Sequence, residues 1–398
     1  MTHHQQLRIP AAYLRGGTSK GVFYRLEDLP PKAQTPGPFR DQMFLRIIGS
    51  PDAYGRHIDG MGGATSSTSK TVIISESSQP GHDVDYLFGQ AAIDQPILDW
   101  TGNCGNLTPA VGVFAIMNGY IPKERIPENG VCKVRIWQAN IHKTLETDVP
   151  IVNGQVQETG HFMLDGVPFP AAEIKVTFVD PSDASGASVF PSGAIIDTLD
   201  IPEFGPLEAT LIDSGIPMVC IRAQDVGLTA TERQDDINTN AKVLALLESI
   251  RIEGSVRMGL TQTLEEASAR AHTPKVAFLA PPTSYVASNG KTIQASEVDL
   301  VARAISMGKM HHALMGTAGV ALATAAAVPG TLVNEIAGGG QRTQMTVGHT
   351  AGKLSVSASV TQTAAGWKVN NVGMSRSARV IMEGWVRVPI HDLDESAS

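Results

Sequence analysis

The sequence predicts an α+β protein built as two halves on one plan. Period-two apolar segments of strand length recur along the whole chain, with only a few helical patterns among them. At 398 residues the chain exceeds the usual size of one domain. The segment Asp180-Pro-Ser-Asp-Ala-Ser-Gly186, polar and without periodicity, is the best place to divide it. A faint internal repeat supports the division. Cys104-Gly-Asn-Leu-Thr-Pro and Met315-Gly-Thr-Ala-Gly-Val each place a sulfur residue, a glycine and a small polar residue ahead of an apolar helix.

Taken in order, residues 7–13 and 21–26 read as strands, joined by Arg15-Gly-Gly-Thr-Ser-Lys-Gly21. That joint is either a backbone nest for an anion or an exposed hairpin turn. Its G-x-S-x-G piece is no hydrolase elbow, because a strand rather than a helix follows. Residues 41–48 read as helical. Gly55-Arg-His-Ile-Asp-Gly-Met-Gly-Gly-Ala-Thr-Ser-Ser-Thr-Ser-Lys70 leads into a strand at 71–75. It is either a linker or a binding loop, and the presence of Arg56, His57, Asp59 and Lys70 favours binding. Strands are expected at 84–90, 133–137, 145–149 and 174–178, with a turn at 165–170. In the second half, strands at 207–213 and 218–222 precede an amphipathic helix at 235–251. That helix would carry Ile237, Ala241, Leu244, Leu247 and Ile250 on one face. A strand at 276–280, a helix at 296–306, a buried helix within 313–333 and strands at 343–347, 353–360, 367–369 and 380–388 complete the chain.

Apolar residues make up 42% of the chain and charged residues 18%, as in an ordinary globular protein. The frequent Gly (39) and Pro (24) suit many short strands and turns. A net charge of −8 argues against a nucleic-acid partner, which needs a concentrated Lys/Arg surface. Cys104, Cys132 and Cys220 form neither an even disulfide set nor a C-x-x-C zinc pattern, and they suit a reducing cytoplasm. No apolar stretch follows the first residues, so no signal peptide is expected. The Ala-rich run 313–333 is broken by Gly316, Gly319, Pro329 and Gly330, so it reads as a core helix and no membrane contact is expected.

The chain is organised around Thr101-Gly-Asn-Cys-Gly-Asn-Leu-Thr108 and the apolar run after it. Leu107, Ala110, Val111, Val113, Phe114 and Met117 recur at helical spacing. Thr108 or Asn106 would cap the helix, with Pro109 in its first turn. Free N–H groups and the macrodipole favour an anion there, and equally a thiolate. Cys104 is therefore either an acid/base group beside a carboxylate cradle or a small buried cysteine at a tight turn.

Six stretches together resemble the PrpF family of 2-methylaconitate isomerases, within the diaminopimelate epimerase-like superfamily. They are Arg15-Gly-Gly-Thr-Ser-Lys-Gly21, Gly63-Ala-Thr-Ser-Ser-Thr-Ser-Lys70, Gly102-Asn-Cys-Gly-Asn106, His311-His-Ala-Leu-Met-Gly-Thr317, and Pro329-Gly-Thr-Leu-Val-Asn334 with Met382-Glu-Gly-Trp-Val-Arg-Val-Pro389. The resemblance implies two similar epimerase-like domains, each a curved, mostly antiparallel sheet around a central helix, with the active site between them. Residues 1–182 would form the first, carrying Lys70 and Cys104. Residues 183–380 would form the second, and 381–398 a tail that could return to the first. Superfamily epimerases use two cysteines, each followed by Gly. Cys104 matches the first, but Met315 stands at the second and cannot carry a proton. The resemblance instead implies Lys70 and Cys104 as the catalytic pair.

The implied reaction is a cofactor-independent, metal-free isomerisation of 2-methyl-trans-aconitate to 2-methyl-cis-aconitate, a step of the methylcitrate cycle of propionate catabolism. Loss of a methylene proton gives a delocalised dienolate, whose former double bond rotates before a proton returns. Three carboxylates must be held, for which Thr18, Ser19, Lys20, Ser66, Ser67, Gly105, Asn106, Met315, Gly316 and Thr317 are the candidates. Arg56, Lys309 and His312 stand behind them. Each hydroxyl could equally make only a local turn bond. The adjacent His311 and His312, with no carboxylate at ligand spacing, are poor evidence of a metal. A 4-oxalomesaconate-type tautomerase would use nearly the same chemistry. A non-catalytic accessory protein of an aconitase-type methylcitrate dehydratase is the alternative from another class. A functional partnership with that dehydratase and a homodimer are the expected associations.

Overall fold

A computed structural model describes residues 6–181, 189–364 and 366–393. The chain falls into two compact units. Unit 1 is Met1–Met163, Phe169–Lys175 and Arg376–Ser398; unit 2 is Leu164–Pro168 and Val176–Ser375. Residues 182–188, which hold most of the expected boundary segment, lie outside the described residues.

In unit 1, β1 (Gln6–Gly16) and β2 (Ser19–Arg25) form an antiparallel hairpin. β2 runs parallel to β3 (Lys70–Glu76), which pairs antiparallel with β4 (Val84–Ala91). β4 pairs with the short β5 (Leu98–Asp99) and runs parallel to β6 (Asn129–Gln138). β6 pairs antiparallel with β7 (Lys143–Val152), and β7 with β8 (Gln155–Val156). On the other flank, β1 pairs with the C-terminal strand Ala378–Pro389.

Two helices sandwich this sheet, and the period of two along β2 shows how. Tyr24 meets Phe44 of α1 (Pro38–Ile48), with ring centroids 5.1 Å apart. Its neighbour Phe23 points the other way and meets Phe114 of α2 (Thr108–Met117) at 5.6 Å. Every residue from Thr108 to Ile116 is buried, so α2 is a core helix apolar all round. It fits tightly. A Cβ at Gly112 would fall 2.2 Å from the Thr147 hydroxyl of β7.

Unit 2 repeats the topology. After β9 (Ile174–Val179), β10 (Asp197–Ile201) pairs with β11 (Gly205–Ser214), which forms a hairpin with β12 (Ile216–Arg222). β12 runs parallel to β13 (Lys275–Ala280). A small ribbon of β14 (Tyr285–Val286) and β15 (Thr292–Ile293) follows. β13 pairs antiparallel with β16 (Leu300–Ser306), which also pairs with β17 (Lys309–Met310). β16 runs parallel to β18 (Gln344–His349), and β18, β19 (Gly352–Thr363) and β20 (Gly366–Arg376) form an antiparallel series. The directions anti, parallel, anti, parallel, anti therefore recur in both units.

Helices α3 (Gln234–Asn238), α4 (Ala241–Arg257) and α5 (Leu264–Ala269) lie between β12 and β13 in the chain. α6 (Gly316–Ala327) and α7 (Leu332–Ile336) follow β17. Leu247 and Ile250 of α4 share one core with Leu211, Val219 and Phe278 of the sheet. α6 is buried throughout. Its Thr324 hydroxyl lies 2.9 Å from that of Ser214, and a Cβ at Gly319 would meet Leu354 at 2.9 Å.

Three expectations need correction. The single helix at 235–251 is two helices, because the Asn240 side chain accepts from the Val243 N–H at 3.2 Å and starts a new one. The helix at 296–306 is the strand β16, preceded by a 3-10 turn at Ala295–Glu297. A short, wholly buried run has no polar face to reveal its period, and β-branched Val301 and Ile305 fit the sheet. Neither Asn106 nor Thr108 caps α2: the capping position is Leu107, with no side-chain cap, although Pro109 does lie in the first turn.

Candidate active site

Lys70 opens β3 directly opposite Gln90 on β4. Its ammonium donates to Gln90 Oε1 at 2.6 Å. The other end of that amide donates to the carbonyls of Ser69 (3.0 Å) and Ala91 (3.1 Å), which fixes Oε1 toward the lysine. Two residues back along the same face, the Phe88 ring lies 4.9 Å beneath Nζ. Lys70 is 6% exposed. Burial pulls its pKa below the ordinary 10.5, and the electrostatic influence of Cys104 opposes that shift.

The third residue of that face holds Cys104 in place. Tyr86 donates its hydroxyl to the Cys104 carbonyl at 3.2 Å. Burial, and secondarily Cys104, keep Tyr86 well above its usual pKa, so it remains a donor. The same carbonyl accepts from Leu107 N–H (3.1 Å) and Thr108 Oγ1 (3.4 Å), so the cysteine begins a turn continuous with α2. With no side-chain cap there, the N-terminal dipole of α2 stays available to an anion.

The β1–β2 joint is a tight hairpin turn at Gly17 and Thr18, and it is packed against the cysteine segment rather than exposed. Gly17 has φ of +51°, and its N–H donates to the Ser377 carbonyl. A Cβ at Gly16 would stand 2.7 Å from the Asn106 carbonyl. Arg15 braces the turn by donating to the Gly17 and Ser377 carbonyls. Thr18 accepts from Asn106 Nδ2 at 3.0 Å. Ser19 is buried, and Lys20 lays its ammonium 5.2 Å over the Tyr13 ring.

The Ser/Thr-rich loop reaches the same place. Its Ser67 carbonyl accepts from the Lys20 N–H at 2.9 Å, and Ser67 Oγ lies 3.1 Å from Thr65 Oγ1. Ser66 is half-buried. His57 organises this loop: Nδ1 accepts from Ala64 N–H and lies 3.2 Å from Ser69 Oγ. Arg56 is exposed, and Asp59 pairs with Arg46 at 2.8 Å. The Asp59 pair ties this loop to Arg46 of α1.

Thr18, Ser19, Lys20, Ser66, Ser67, Lys70, Cys104, Gly105 and Asn106 thus belong to one connected region of unit 1. Met315, Gly316 and Thr317 start α6 in unit 2, with Met315 in the capping position. In that unit Lys309 is exposed, its Nζ 3.4 Å from the Asn238 carbonyl. His312 stacks on His311 at 4.7 Å, and burial lowers its pKa.

Sequence reasoning missed Tyr86, Phe88, Gln90 and Asn103. A glutamine closing an apolar strand was the available signal for the first three. Asn103 is buried at 4% exposure beside Cys104, and neither atom of its amide has a hydrogen-bond partner among the described residues; Asn106 Oδ1 also lacks one. Buried polar groups in this state ask for an explanation, and a bound polar ligand supplies one. Among the described residues no three of His, Cys, Asp and Glu gather to hold a metal, and no helix is long and apolar enough to cross a membrane.

A buried amine that interacts electrostatically with a thiol, among amide and hydroxyl groups at a helix mouth, is a site equipped for proton transfer on an anionic substrate. The chain belongs to the PrpF protein family, which it matches over residues 6–389. It is 59% identical over 387 residues to a 2-methyl-aconitate isomerase of Shewanella oneidensis, covering 96% of this chain and 98% of that protein. It is 58% identical over 392 residues to a 2-methyl-aconitate isomerase of Cupriavidus necator, covering 98% and 99%. A solved methylitaconate-delta-isomerase superposes with a TM-score of 0.77 at 37% identity, over 99% of each chain.

Proposed function

We propose that this protein is a cofactor-independent isomerase that converts 2-methyl-trans-aconitate to 2-methyl-cis-aconitate, with Lys70 and Cys104 as the proton-transfer pair. The observation that carries the reading is the buried Lys70 ammonium, held by Gln90 and close enough to Cys104 for the two groups to interact electrostatically. Two full-length relatives near 60% identity are named 2-methyl-aconitate isomerase, which supports this reading.

One of the pair removes a proton from the methylene beside a carboxylate. The electron pair delocalises into the conjugated double bond and its carboxylates. The former double bond rotates, the other member of the pair returns a proton to the carbon, and no atom is gained or lost. An alkyl C–H is a weak acid, so the amine must be partly neutral near working pH, and burial of Lys70 moves it that way. The dienolate places charge on carboxylate oxygens, which Asn103, Asn106, Thr18 and the mouth of α2 can meet with donors.

Purified protein treated with a chelator should convert 2-methyl-trans-aconitate to the cis isomer, read by chromatography. Turnover of 4-oxalomesaconate with none of the methylaconitate would replace the substrate. Turnover of neither would overturn the reading.

A further inference from the structure

Gln90 stands opposite Lys70 in the β3–β4 register and is itself 2% exposed. Its Oε1 accepts from the Lys70 ammonium at 2.6 Å. Its Nε2 donates to the Ser69 carbonyl at 3.0 Å and to the Ala91 carbonyl at 3.1 Å. All of these residues belong to unit 1. The amide can therefore take one orientation only. Turned over, it would set its oxygen against two carbonyl oxygens and leave buried polar groups unmet. That orientation matters to the amine. A neutral lysine has one lone pair, which must stay open to meet a substrate proton. An amide oxygen occupies an N–H of the amine and leaves the lone pair open, whereas an amide NH2 would occupy it.

The choice of an amide over a carboxylate matters as well. Glutamate has nearly the same shape and would make the stronger pair with a buried ammonium. It would also hold the proton there, since a neighbouring opposite charge favours the charged form by about 1–3 pH units. Among the described residues no ion pair holds Lys70. The groups around it are Gln90 and Phe88 of β4, both uncharged, then Cys104, and next to Cys104 the hydroxyl of Tyr86, which stays protonated. Burial already draws the pKa of Lys70 down. Gln90 fixes the nitrogen without adding a charge that would undo this.

We propose that Gln90 is a positioning residue, whose locked and uncharged amide oxygen holds the Lys70 nitrogen in place while leaving its proton free to move in each turnover. That this proton moves rests on the function proposed above. Two readouts separate the claims. Lysine labelled at its ε carbon reports the ammonium groups by NMR, and Lys70→Met assigns the Lys70 signal by its loss. The titration of that signal is compared with the pH profile of kcat/KM for 2-methyl-trans-aconitate. Gln90→Glu should raise the Lys70 midpoint by about 1–3 pH units and carry the Lys70 limb of the profile up with it. Gln90→Met removes the acceptor at similar volume and should lower both by about one pH unit. Where one variant does not fold, the other decides. A glutamine that merely joined β3 to β4 would, when replaced, lower kcat/KM equally at every pH. A folded variant whose midpoint and limb stay where wild type has them would overturn the proposal, as would a midpoint that moves while the limb does not. If wild type turns over no methylaconitate, the functional reading fails, yet the NMR titration still decides whether Gln90 governs the Lys70 proton.

Discussion

Lys70 is costly where it stands. Most strand openings that bury a long side chain use an apolar one, and an ammonium there forfeits its hydration for one amide, one thiol and a ring face. The pKa shift gives this cost a sign. The native value lies below the unfolded 10.5, so the unfolded chain binds more protons between the two values and stability rises with pH across that window. Lys70→Met should therefore raise the thermal midpoint at neutral pH while lowering turnover about 10²- to 10⁴-fold. The stability gain should shrink as pH climbs through the native value toward 10.5. Calorimetric scans at neutral and alkaline pH check this, and a midpoint that falls at neutral pH would refute it. Cys104 was legible because its neighbours are small, polar and set before a helix. Gln90 was not, because which residue stands opposite Lys70 is a matter of strand register, and register depends on contacts made far along the chain.

Glycine placement governs how the elements of the site approach one another. Gly16 ends β1 where the Asn106 carbonyl and the Leu107 Cα pass within 2.8 Å of where a Cβ would sit. Gly21 lets the Lys70 carbonyl pass 3.0 Å from where a Cβ would sit on β2. Gly16→Ala would push the hairpin turn off the cysteine segment. It should cost about 1–3 kcal/mol of stability by overpacking, and it should lower kcat more than it raises KM, because the thiol moves relative to the ammonium. Denaturant melts and steady-state kinetics on the same preparation test this, and a variant with native stability and kcat would contradict it. The elements themselves were readable wherever a period showed. The hairpin strands, β3, β4, β13 and α2 follow from alternation or helical spacing. β16 failed because a run buried on every side has no polar face. The break between α3 and α4 failed because one asparagine's cap outweighs an apolar pattern that continues across it.

At the scale of the whole molecule, the chain is one topology written twice and then edited. Sequence similarity between the repeats is almost gone. What survives is the order and direction of the strands, a core helix on one side of each sheet, and a lysine at the start of each third strand. The Cys104 and Met315 segments were visible as a faint echo because a glycine and a small polar residue follow each sulfur. Lys275 did not stand out in the sequence, since helices α3, α4 and α5 precede it between β12 and β13, where a single helix, α1, and a Ser/Thr-rich loop precede Lys70. At the second helix mouth the sulfur belongs to Met315, a thioether that cannot carry a proton, where the first has the Cys104 thiol.

The central claim is that Lys70 and Cys104 move a substrate proton. Proton NMR of the protein with trans-aconitate in deuterated water measures that directly, with wild type run beside Lys70→Ala and Cys104→Ala. Deuterium should enter the methylene, with the cis isomer growing in, for wild type alone. Isomerisation without deuterium, or exchange at the wild-type rate in either variant, would contradict it.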